Sequence, residues 1–342
     1  MLRVDFYESS NGETIVVTFP DGTLGVVDAC PSIGGHRDPI AALVGGRDVR
    51  FLCLTHPHLD HGKDLLEVLN SAKSVSEFWH TASDLSALLY SVSDVIRVYP
   101  DRFTGLLTKK QQDWADFVGP LYQRIVEIGT HNTAFVRKLN AARKPIQIAG
   151  VRVAFLGPEE DEQNKYTTLY ARRLRQGDGK APNENRLSAI LSLEYFGNTI
   201  VLGADAETKN WTPALHRCGE EGISNISVLK VPHHGAKNAH STRKGSNYLE
   251  LCRPAKATTA VLFAGSKKHP EKTVFQNLKQ STKVVCLSNG LKGLTTQNPL
   301  KIRIRGASAT GQTYVCNPHI RFEFHPDGTI TQPIGHQCAF CA

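Results

Sequence analysis

The feature that most constrains this chain is a run of metal-binding residue types directly after an apolar segment. Residues 51–54 are apolar, and residues 55–62 have the sequence Thr-His-Pro-His-Leu-Asp-His-Gly. Imidazole and carboxylate groups are the ligands that suit zinc and its first-row neighbours. If the three histidines and the aspartate were purely structural, each would need its own partner beside a buried strand, whereas metal ions would serve all four. The sequence therefore predicts a metal centre on a loop at a strand end, with a structural role as the alternative.

Acidic residues and histidines also close three other predicted strands. Asp28 follows the apolar run 24–27, Asp205 follows the run 199–204, and the His233-His234 pair follows the run 228–232. Together with the His-x-His-x-Asp-His loop, this order resembles the metallo-β-lactamase superfamily. The resemblance implies an α/β chain with the metallo-β-lactamase fold, which is a four-layer αβ/βα sandwich.

Within that superfamily, the chain looks most like the soluble hydrolase domain of ComEC-type DNA-uptake proteins and their stand-alone relatives. The motifs that carry this likeness are Asn185-Arg186-Leu187-Ser188 before a strand, Ala204-Asp205, His233-His234-Gly235-Ala236 and His269-Pro270. The likeness extends over about residues 1 to 290.

The family pattern implies a particular set of metal ligands. His56 and His58 would bind one ion, Asp60 and His61 a second, Asp205 would bridge both, and His233 or His234 would complete the second site. The first ion normally gains another histidine; the candidates are His80 and His131, with Asn183 or Asn185 as substitutes. The implied cofactor is two divalent metal ions, with zinc foremost and manganese or magnesium as alternatives.

A binuclear centre of this kind implies hydrolytic chemistry. Two metal ions would hold a hydroxide between them and polarise a phosphoryl oxygen of the substrate. Asp60 is expected to orient that water, while His234 and His269 are candidates for the proton donor or the oxyanion donor. The cationic groups expected to bind phosphate are those of Lys237, Lys267 and Lys268.

The charge balance bears on the class of substrate. The formal net charge is +8 and the isoelectric point is near 9.0, which favours a polyanionic partner. We therefore expect a phosphodiesterase or nuclease that acts on DNA or RNA. The alternatives are a small-molecule hydrolase of the same fold, acting on thioesters, lactones or cyclic nucleotides, and a scaffold protein with a degenerate site. A basic groove leading to the metals would favour the nuclease, and a closed pocket the small-molecule enzyme.

The alternation of strand and helix patterns predicts two sheets flanked by helices. We expect a hydrolase domain over residues 1–300, with an inserted helical hairpin at 101–144 that either selects substrate or only extends the core. Residues 301–342 are expected to form a C-terminal strand extension and a cysteine-containing tail. The charged segment 159–180 is predicted to be a loop, whose arginines either contact a phosphate backbone or form a solvated surface.

Several compositional features point to a cytoplasmic protein. No apolar run reaches the roughly 18 residues of a membrane helix, and the chain start does not look like a signal peptide. The eight cysteines are scattered, which suits a reducing compartment. Cys316, His319, Cys338 and Cys341 have the spacing of a structural zinc knuckle, although chain ends also fray. The oligomeric state is left open.

Overall fold

The secondary structure is taken from a computed structural model, which describes residues 1–9, 12–30, 40–82, 109–175, 183–252, 258–263, 270–287 and 319–331. The strands are β1 (Leu2–Ser9), β2 (Gly12–Thr18), β3 (Leu24–Val27), β4 (Asp48–Leu54), β5 (Ser74–His80), β6 (Val136–Lys138), β7 (Ile146–Ile148), β8 (Val151–Gly157), β9 (Ile190–Tyr195), β10 (Asn198–Leu202), β11 (Val228–Lys230), β12 (Thr259–Phe263), β13 (Lys283–Leu287), β14 (His319–Phe324) and β15 (Ile330–Thr331). The helices are α1 (Ile40–Val44), α2 (Leu59–Gly62), α3 (Leu65–Ser71), α4 (Lys109–His131), α5 (Glu160–Arg175), α6 (Thr208–Glu220) and α7 (Lys272–Ser281).

The described strands form two sheets. The first has eight strands in the order β15-β14-β1-β2-β3-β4-β5-β6, and the second has seven in the order β13-β12-β11-β10-β9-β8-β7. In the first sheet, β3, β4, β5 and β6 are parallel neighbours. In the second sheet, β10, β11, β12 and β13 are parallel neighbours. Because loops that leave the carboxyl ends of parallel strands meet at one edge of a sheet, this topology groups the polar strand ends.

Three apolar clusters define the layers. One cluster lies between the sheets and joins side chains such as Phe6 and Phe51 of the first sheet to Phe155 and Leu193 of the second. A second cluster packs the outer face of the second sheet against α6 and α7. A third packs the outer face of the first sheet against α1, α3 and α4. The predicted four-layer αβ/βα sandwich is therefore confirmed.

The start of the chain contains a β-hairpin. β2 and β3 are antiparallel, and the turn between them contains Pro20, Asp21 and Gly22. Gly22 has a φ of 84°, a conformation that favours glycine because it has no Cβ. The Asp21 carboxylate accepts the backbone N–H of Thr23 at 3.0 Å, which closes the turn.

The predicted helical insertion differs in part from the structure. Residues 109–131 form the single long helix α4, whose Leu121 and Ile125 pack into the outer cluster of the first sheet. Residues 136–138, expected to be helical, form β6 and pair with β5. A strand of three residues is too short to leave a pattern in the sequence, and it forms here because the edge of β5 supplies its hydrogen bonds. Residues 101–108 lie outside the described part of the chain.

The prediction of a loop at residues 159–180 is wrong over most of its length, because residues 160–175 form α5. Glu160, Asp161 and Glu162 occupy its first turn and arginines occupy its last, which is the arrangement that the helix dipole favours. Gln163 also anchors the helix, since its buried amide donates to the carbonyls of Thr81 and Leu139 at 2.6 and 2.7 Å. Acidic residues at the start of this segment and basic residues at its end therefore indicate a helix.

The C-terminal extension takes part in the first sheet through β14, which pairs with β1 along its whole length. The domain boundary predicted at residue 300 and the cysteines of the predicted zinc knuckle lie outside the described residues. The fourth residue of that knuckle, His319, places its Nε2 2.7 Å from Asp5 Oδ1. Within the described ranges, no helix is both long and apolar enough to cross a membrane.

Candidate metal centre

Four strand ends meet at the edge where the two sheets approach each other. Asp28 follows β3, the histidine-rich loop follows β4, Asp205 follows β10, and the His233-His234 pair follows β11. The residues of β4 from Phe51 to Leu54 are all buried, as expected for a strand covered on both faces. The apolar run thus forms a buried strand, and the histidine-rich loop lies at the end of that strand, beside the centre.

The backbone is unusual at these strand ends. Asp28, Ala204, His233 and His234 have φ values of 55°, 42°, 47° and 52°, which place these non-glycine residues in the left-handed region. Such conformations cost free energy and persist where the surroundings impose them, often at functional sites. In each case the turn ends a strand abruptly and directs a polar side chain towards the centre.

The Asp205 carboxylate is the hub of the centre. Its Oδ2 lies 4.0 Å from His56 Nε2, 3.7 Å from His61 Nε2 and 3.8 Å from His233 Nε2. Its Oδ1 lies 3.9 Å from His234 Nε2. All of these separations are too long for direct hydrogen bonds. Asp205 is 4% exposed, and its Oδ1 has no hydrogen-bond partner among the described residues.

Two of the histidines are oriented by partners on the side away from Asp205. His61 Nδ1 donates to Asp28 Oδ2 at 2.7 Å, which leaves His61 Nε2 facing the centre. Thr55 Oγ1 donates to the same Asp28 oxygen at 2.7 Å. Because that bond uses the single proton of the hydroxyl, the Thr55 oxygen is an acceptor for His56 Nδ1, 3.1 Å away. His56 then presents an unprotonated Nε2 to the centre.

Two further histidines are held in the same way. His58 Nε2 donates to Glu184 Oε2 at 2.8 Å, and His234 Nδ1 donates to the carbonyl of Phe263 at 3.3 Å. The inner nitrogens are therefore Nδ1 of His58 and Nε2 of His234. His58 Nδ1 lies 3.0 Å from His56 Nε2, so two lone pairs face each other. This contact is unfavourable unless a proton or a metal cation lies between the two nitrogens.

The inner atoms fit a divalent metal ion. His56, His58 and Asp205 form one group and His61, Asp205 and His234 another, with the ligand atoms of each group within 4.8 Å of one another. Ligands around a tetrahedral zinc ion are separated by about 3.4 Å, which follows from zinc–nitrogen distances of about 2.1 Å. His61 Nε2 is also buried without a hydrogen-bond partner among the described residues. A third group, Glu13, Asp28 and His61, lies beneath them.

The electrostatics of the centre follow from its burial. Burial and the neighbouring His61 and His58 hold the pKa of His56 well below its usual value, so the ring is neutral and able to bind a metal ion. Burial also acts against a charged His61, but the Asp28 and Asp205 carboxylates outweigh it and raise the pKa of His61. Burial disfavours the charged form of Asp205, yet the surrounding histidines hold the pKa of Asp205 well below its usual value. Asp205 is therefore ionised, and its negative charge stabilises positive charge in the cluster around it.

The structure brings most of the predicted ligands together, with two differences of detail. His234 belongs to a three-residue group, whereas His233 Nε2 lies near Asp205 but its ring is also 3.4 Å from Asn185 Nδ2. Asp60 lies half-buried in α2 on the same turn as His61, and no group of potential ligands among the described residues includes it. Asp60 as a ligand stays a prediction.

Other predicted site residues lie at or beyond the edge of the centre. Lys237 is exposed, three residues after His234. His80 is buried at the end of β5 and His131 is exposed at the end of α4, and neither is in a group of potential ligands among the described residues. The remaining candidates Lys267, Lys268 and His269 lie outside the described residues.

The structure adds residues to which the sequence reasoning gave no role. Glu184 holds His58, and the buried ion pair of Glu13 with Lys230 lies next to Asp205. Asp28, which the sequence places at a strand end, holds His61. A usable signal existed for Lys230, because a lysine in the middle of the otherwise apolar run 228–232 needs a buried partner. Glu184 and Glu13 gave no such signal, since acidic residues at loop and strand ends are ordinary.

No protein-family model and no curated protein matches the sequence. Solved structures similar to this one include Igni18, a metallo hydrolase from the archaeon Ignicoccus hospitalis, at 12% identity over 84% of this chain and 97% of that one, with a TM-score of 0.42. Zn(2+)-bound PqqB from Methylobacterium extorquens is 8% identical over 85% and 99%, with a TM-score of 0.41. A mutant of the CmlA beta-hydroxylase is 11% identical, with a TM-score of 0.43; the match covers 84% of this chain and 52% of that one, so the chain spans about half of its length. At these values none of the three assigns a family or an activity to this chain.

Proposed function

We propose that this chain is a metal-dependent hydrolase, and that it is a phosphodiesterase or nuclease that cleaves DNA or RNA. The observation that carries the proposal is the convergence of His56 Nε2, His58 Nδ1 and His61 Nε2 on Asp205, with the opposite nitrogen of each ring held by a partner. Orientation of metal-binding histidines by outer hydrogen bonds is typical of metal centres. A structural polar cluster would instead satisfy its own donors and acceptors.

Each inner atom has a defined place in the proposed centre. His56, His58 and Asp205 would hold one divalent ion, and His61, His234 and Asp205 would hold a second. Bound divalent ions would supply an activated water at neutral pH and polarise an oxygen of the scissile group. Asp28 and Glu184 orient the rings of His61 and His58 so that His61 Nε2 and His58 Nδ1 face the proposed centre.

The proposed phosphodiester substrate rests on charge. The net charge of +8 favours polyanions, and the exposed ammonium group of Lys237 lies three residues after His234. Lys237 would contact a non-bridging phosphate oxygen as a point charge. Asp60, on the same turn as His61, is proposed to orient the attacking water, and His234 is one candidate for the proton donor. His269, Lys267 and Lys268 complete the proposed set.

One observation favours the second candidate, a hydrolase of small substrates such as thioesters, lactones or cyclic nucleotides. Glu184 contacts His58 at the edge of the centre, and the Glu207 carboxylate accepts the amides of Asn183 at 3.0 Å and Asn238 at 2.7 Å beside His233. These two carboxylates place negative charge where a phosphate backbone would approach. A less highly charged substrate would meet less repulsion there.

Substrate profiling tests the proposal. Purified protein is incubated with labelled single- and double-stranded DNA and RNA, and with a chromogenic phosphodiester, a thioester and a lactone, each with zinc, manganese or magnesium. We expect cleavage of a nucleic acid and of the phosphodiester, with no turnover by Asp205→Asn. Turnover of only the thioester or lactone would replace the first candidate with the second. No turnover of any substrate, together with no bound metal, would refute both.

The cytoplasmic location is part of the same proposal. Cys53 and Cys218 are buried free thiols, which is consistent with a reducing compartment. Fractionation of cells that express the tagged chain tests this, and recovery outside the cytoplasm would contradict it.

A further inference from the structure

A buried ion pair lies directly beneath the metal centre. Lys230 of β11 and Glu13 of β2 belong to different sheets, are 0% and 1% exposed, and contact each other through Nζ and Oε1. Taking two charges out of water is costly, and their mutual attraction only partly offsets the cost. A pair of apolar side chains would fill the same space without this penalty. The position of the pair therefore calls for a reason other than stability.

The Lys230 ammonium group is directed at the turn that carries Asp205. Lys230 Nζ donates to the carbonyl of Ala204 at 2.6 Å, and the same carbonyl accepts the backbone N–H of His233 at 2.9 Å. Ala204 is the left-handed residue immediately before Asp205. One carbonyl thus joins the end of β10, which carries Asp205, to the end of β11, which carries the histidine pair.

Neither member of the ion pair is hydrogen-bonded to the atoms that face the proposed centre. Lys230 Nζ is 3.9 Å from Asp205 Oδ1, which is too far for a hydrogen bond and leaves that oxygen available. Glu13 Oε1 is 4.0 Å from His234 Nε2, so it likewise leaves that nitrogen available. The pair holds the backbone of the turn and leaves the inner atoms for another partner.

We propose that Lys230, held in place by Glu13, is a positioning residue of the metal centre that fixes the Ala204–Asp205 turn and thereby the direction of the Asp205 carboxylate. This inference rests on the proposed metal centre and deepens it. Glu13 neutralises the ammonium group and limits its position, and neither residue binds the metal ions.

A purely structural ion pair and a positioning pair respond differently to replacement of both partners. If the pair is only structural, the apolar double variant Glu13→Met/Lys230→Met should fold well and bind metal like the parent, because paired charges are replaced by packed side chains. If Lys230 positions the turn, the same variant folds but binds metal more weakly, since the donor to the Ala204 carbonyl is lost. Loss of an outer partner typically weakens metal affinity by about 10- to 100-fold.

The experiment measures metal affinity and folding in the same variants. Zinc affinity is measured by competition with a chromophoric chelator, Co²⁺ absorption reports the coordination geometry, and thermal melting reports folding. The variants are the Met/Met pair, the polar pair Glu13→Gln/Lys230→Gln, which keeps an N–H donor at residue 230, and the control Leu193→Ala. Leu193 lies in the core between the sheets, outside the centre, and its truncation destabilises through a cavity.

We expect the Met/Met pair to melt near the parent temperature, with zinc affinity lowered about 10- to 100-fold and a changed Co²⁺ spectrum. The Gln/Gln pair should bind zinc more tightly than Met/Met, and Leu193→Ala should melt at a lower temperature with parental zinc affinity.

Parental zinc affinity in Met/Met, or equal zinc affinity in the two double variants, would overturn the inference. If Met/Met does not fold, Glu13→Gln/Lys230→Met takes its place: an affinity about 10-fold or more below that of Gln/Gln supports the donor role, and an affinity equal to that of Gln/Gln overturns it. A parent chain that binds no metal would instead refute the proposed function.

Discussion

Asp5 and Asp205 are both buried carboxylates with several nitrogen groups around them, and their surroundings are built differently. Asp5, in β1, accepts from His319 Nε2 and Arg321 Nε of β14 at 2.7 Å and from Arg3 Nε at 3.0 Å. Asp205 has histidine and lysine nitrogens around it at 3.7 to 4.0 Å. The first carboxylate is fully paired by direct hydrogen bonds, and the second is surrounded but not contacted.

The pKa alone would not separate the two carboxylates. Burial disfavours the charged form of both, and in both the neighbouring cationic groups hold the pKa below its usual value. The spacing does separate them, because hydrogen bonds need about 2.7 to 3.0 Å whereas ligands that share an ion lie about 3.4 Å apart. Nitrogens that surround a carboxylate beyond hydrogen-bond distance therefore indicate a binding site, and nitrogens at hydrogen-bond distance indicate a structural ion pair.

The largest expected effect comes from exchanging the two carboxylates for amides. Asp205→Asn should lose both metal ions and hydrolysis, because Asp205 belongs to both ligand groups. The loss of metal should exceed that of His58→Ala, which touches only one group. Asp5→Asn is the matched control and should keep full metal content. Metal analysis of the purified proteins checks this, and a larger metal loss in His58→Ala than in Asp205→Asn would contradict the bridging role.

The turn that carries Asp60 and His61 gives the next effect. Either His61→Ala or Asp60→Ala should abolish hydrolysis while the fold is retained, since both residues lie on the loop after β4 and outside the sheets. Metal content should fall in His61→Ala, whose Nε2 is buried and faces Asp205. For Asp60→Ala, metal content distinguishes a ligand from a residue that only orients water. Parental turnover together with parental metal content in either variant would show that this loop is not part of the site.

A smaller effect is expected from the carboxylate that orients His61. Asp28→Asn leaves one acceptor oxygen where two are used, by the Thr55 N–H at 2.8 Å and by His61 Nδ1 at 2.7 Å, and it removes the negative charge. It should therefore weaken zinc binding by about 10- to 100-fold without abolishing it. Chelator competition measures the change, with Asp48→Asn, a half-exposed carboxylate paired with Lys73, as the control. Equal affinities for the parent and Asp28→Asn would show that the contact does not position the ring.

The Asp5 cluster should affect folding and not metal. Asp5→Asn leaves three cationic side chains without their carboxylate and should lower the free energy of unfolding by about 1–3 kcal/mol. The partners are partly exposed, which keeps the effect at the modest end of this range. Denaturant unfolding of the metal-free proteins measures it. A change in zinc affinity in this variant would break the distinction between the two carboxylates.

The pH dependence of that stability is the smallest effect. Burial acts to raise the pKa of Asp5, but the hydrogen bonds and charges of His319 and Arg321 lower it overall. A carboxylate with a lowered folded pKa stabilises fully above its unfolded pKa of about 3.9 and loses that contribution as the pH falls through the folded value. The difference in unfolding free energy between the parent and Asp5→Asn should therefore shrink below about pH 4. A difference that grows on acidification would contradict the pairing.

The strand ends, and most of the histidines that meet at Asp205, could be predicted from the sequence because both depend on local patterns. The apolar run before Thr55 marks a buried strand, and the histidine spacing after it marks ligands on one turn. Charge patterns are less specific, since an acidic stretch followed by a basic one is compatible both with a solvated loop and with a helix, and residues 160–175 form a helix.

The outer partners could not be predicted because they are distant in sequence. Glu184 reaches His58 across 126 positions, and Glu13 meets Lys230 across the two sheets. Only the packing of one sheet on the other brings these groups together. The same holds for the choice between His233 and His234, which depends on the left-handed turn after β11 and on which carbonyl lies behind each ring.

The most direct test of the claim that Asp205 is the hub of a metal centre is a crystal structure of the zinc-loaded protein with anomalous diffraction data at the zinc edge. The expected result is an anomalous peak about 2.0–2.2 Å from His56 Nε2, His58 Nδ1 and an Asp205 oxygen, with His58 Nε2 still bonded to Glu184. Absence of a peak beside Asp205, or a zinc ion bound through His58 Nε2, would contradict it.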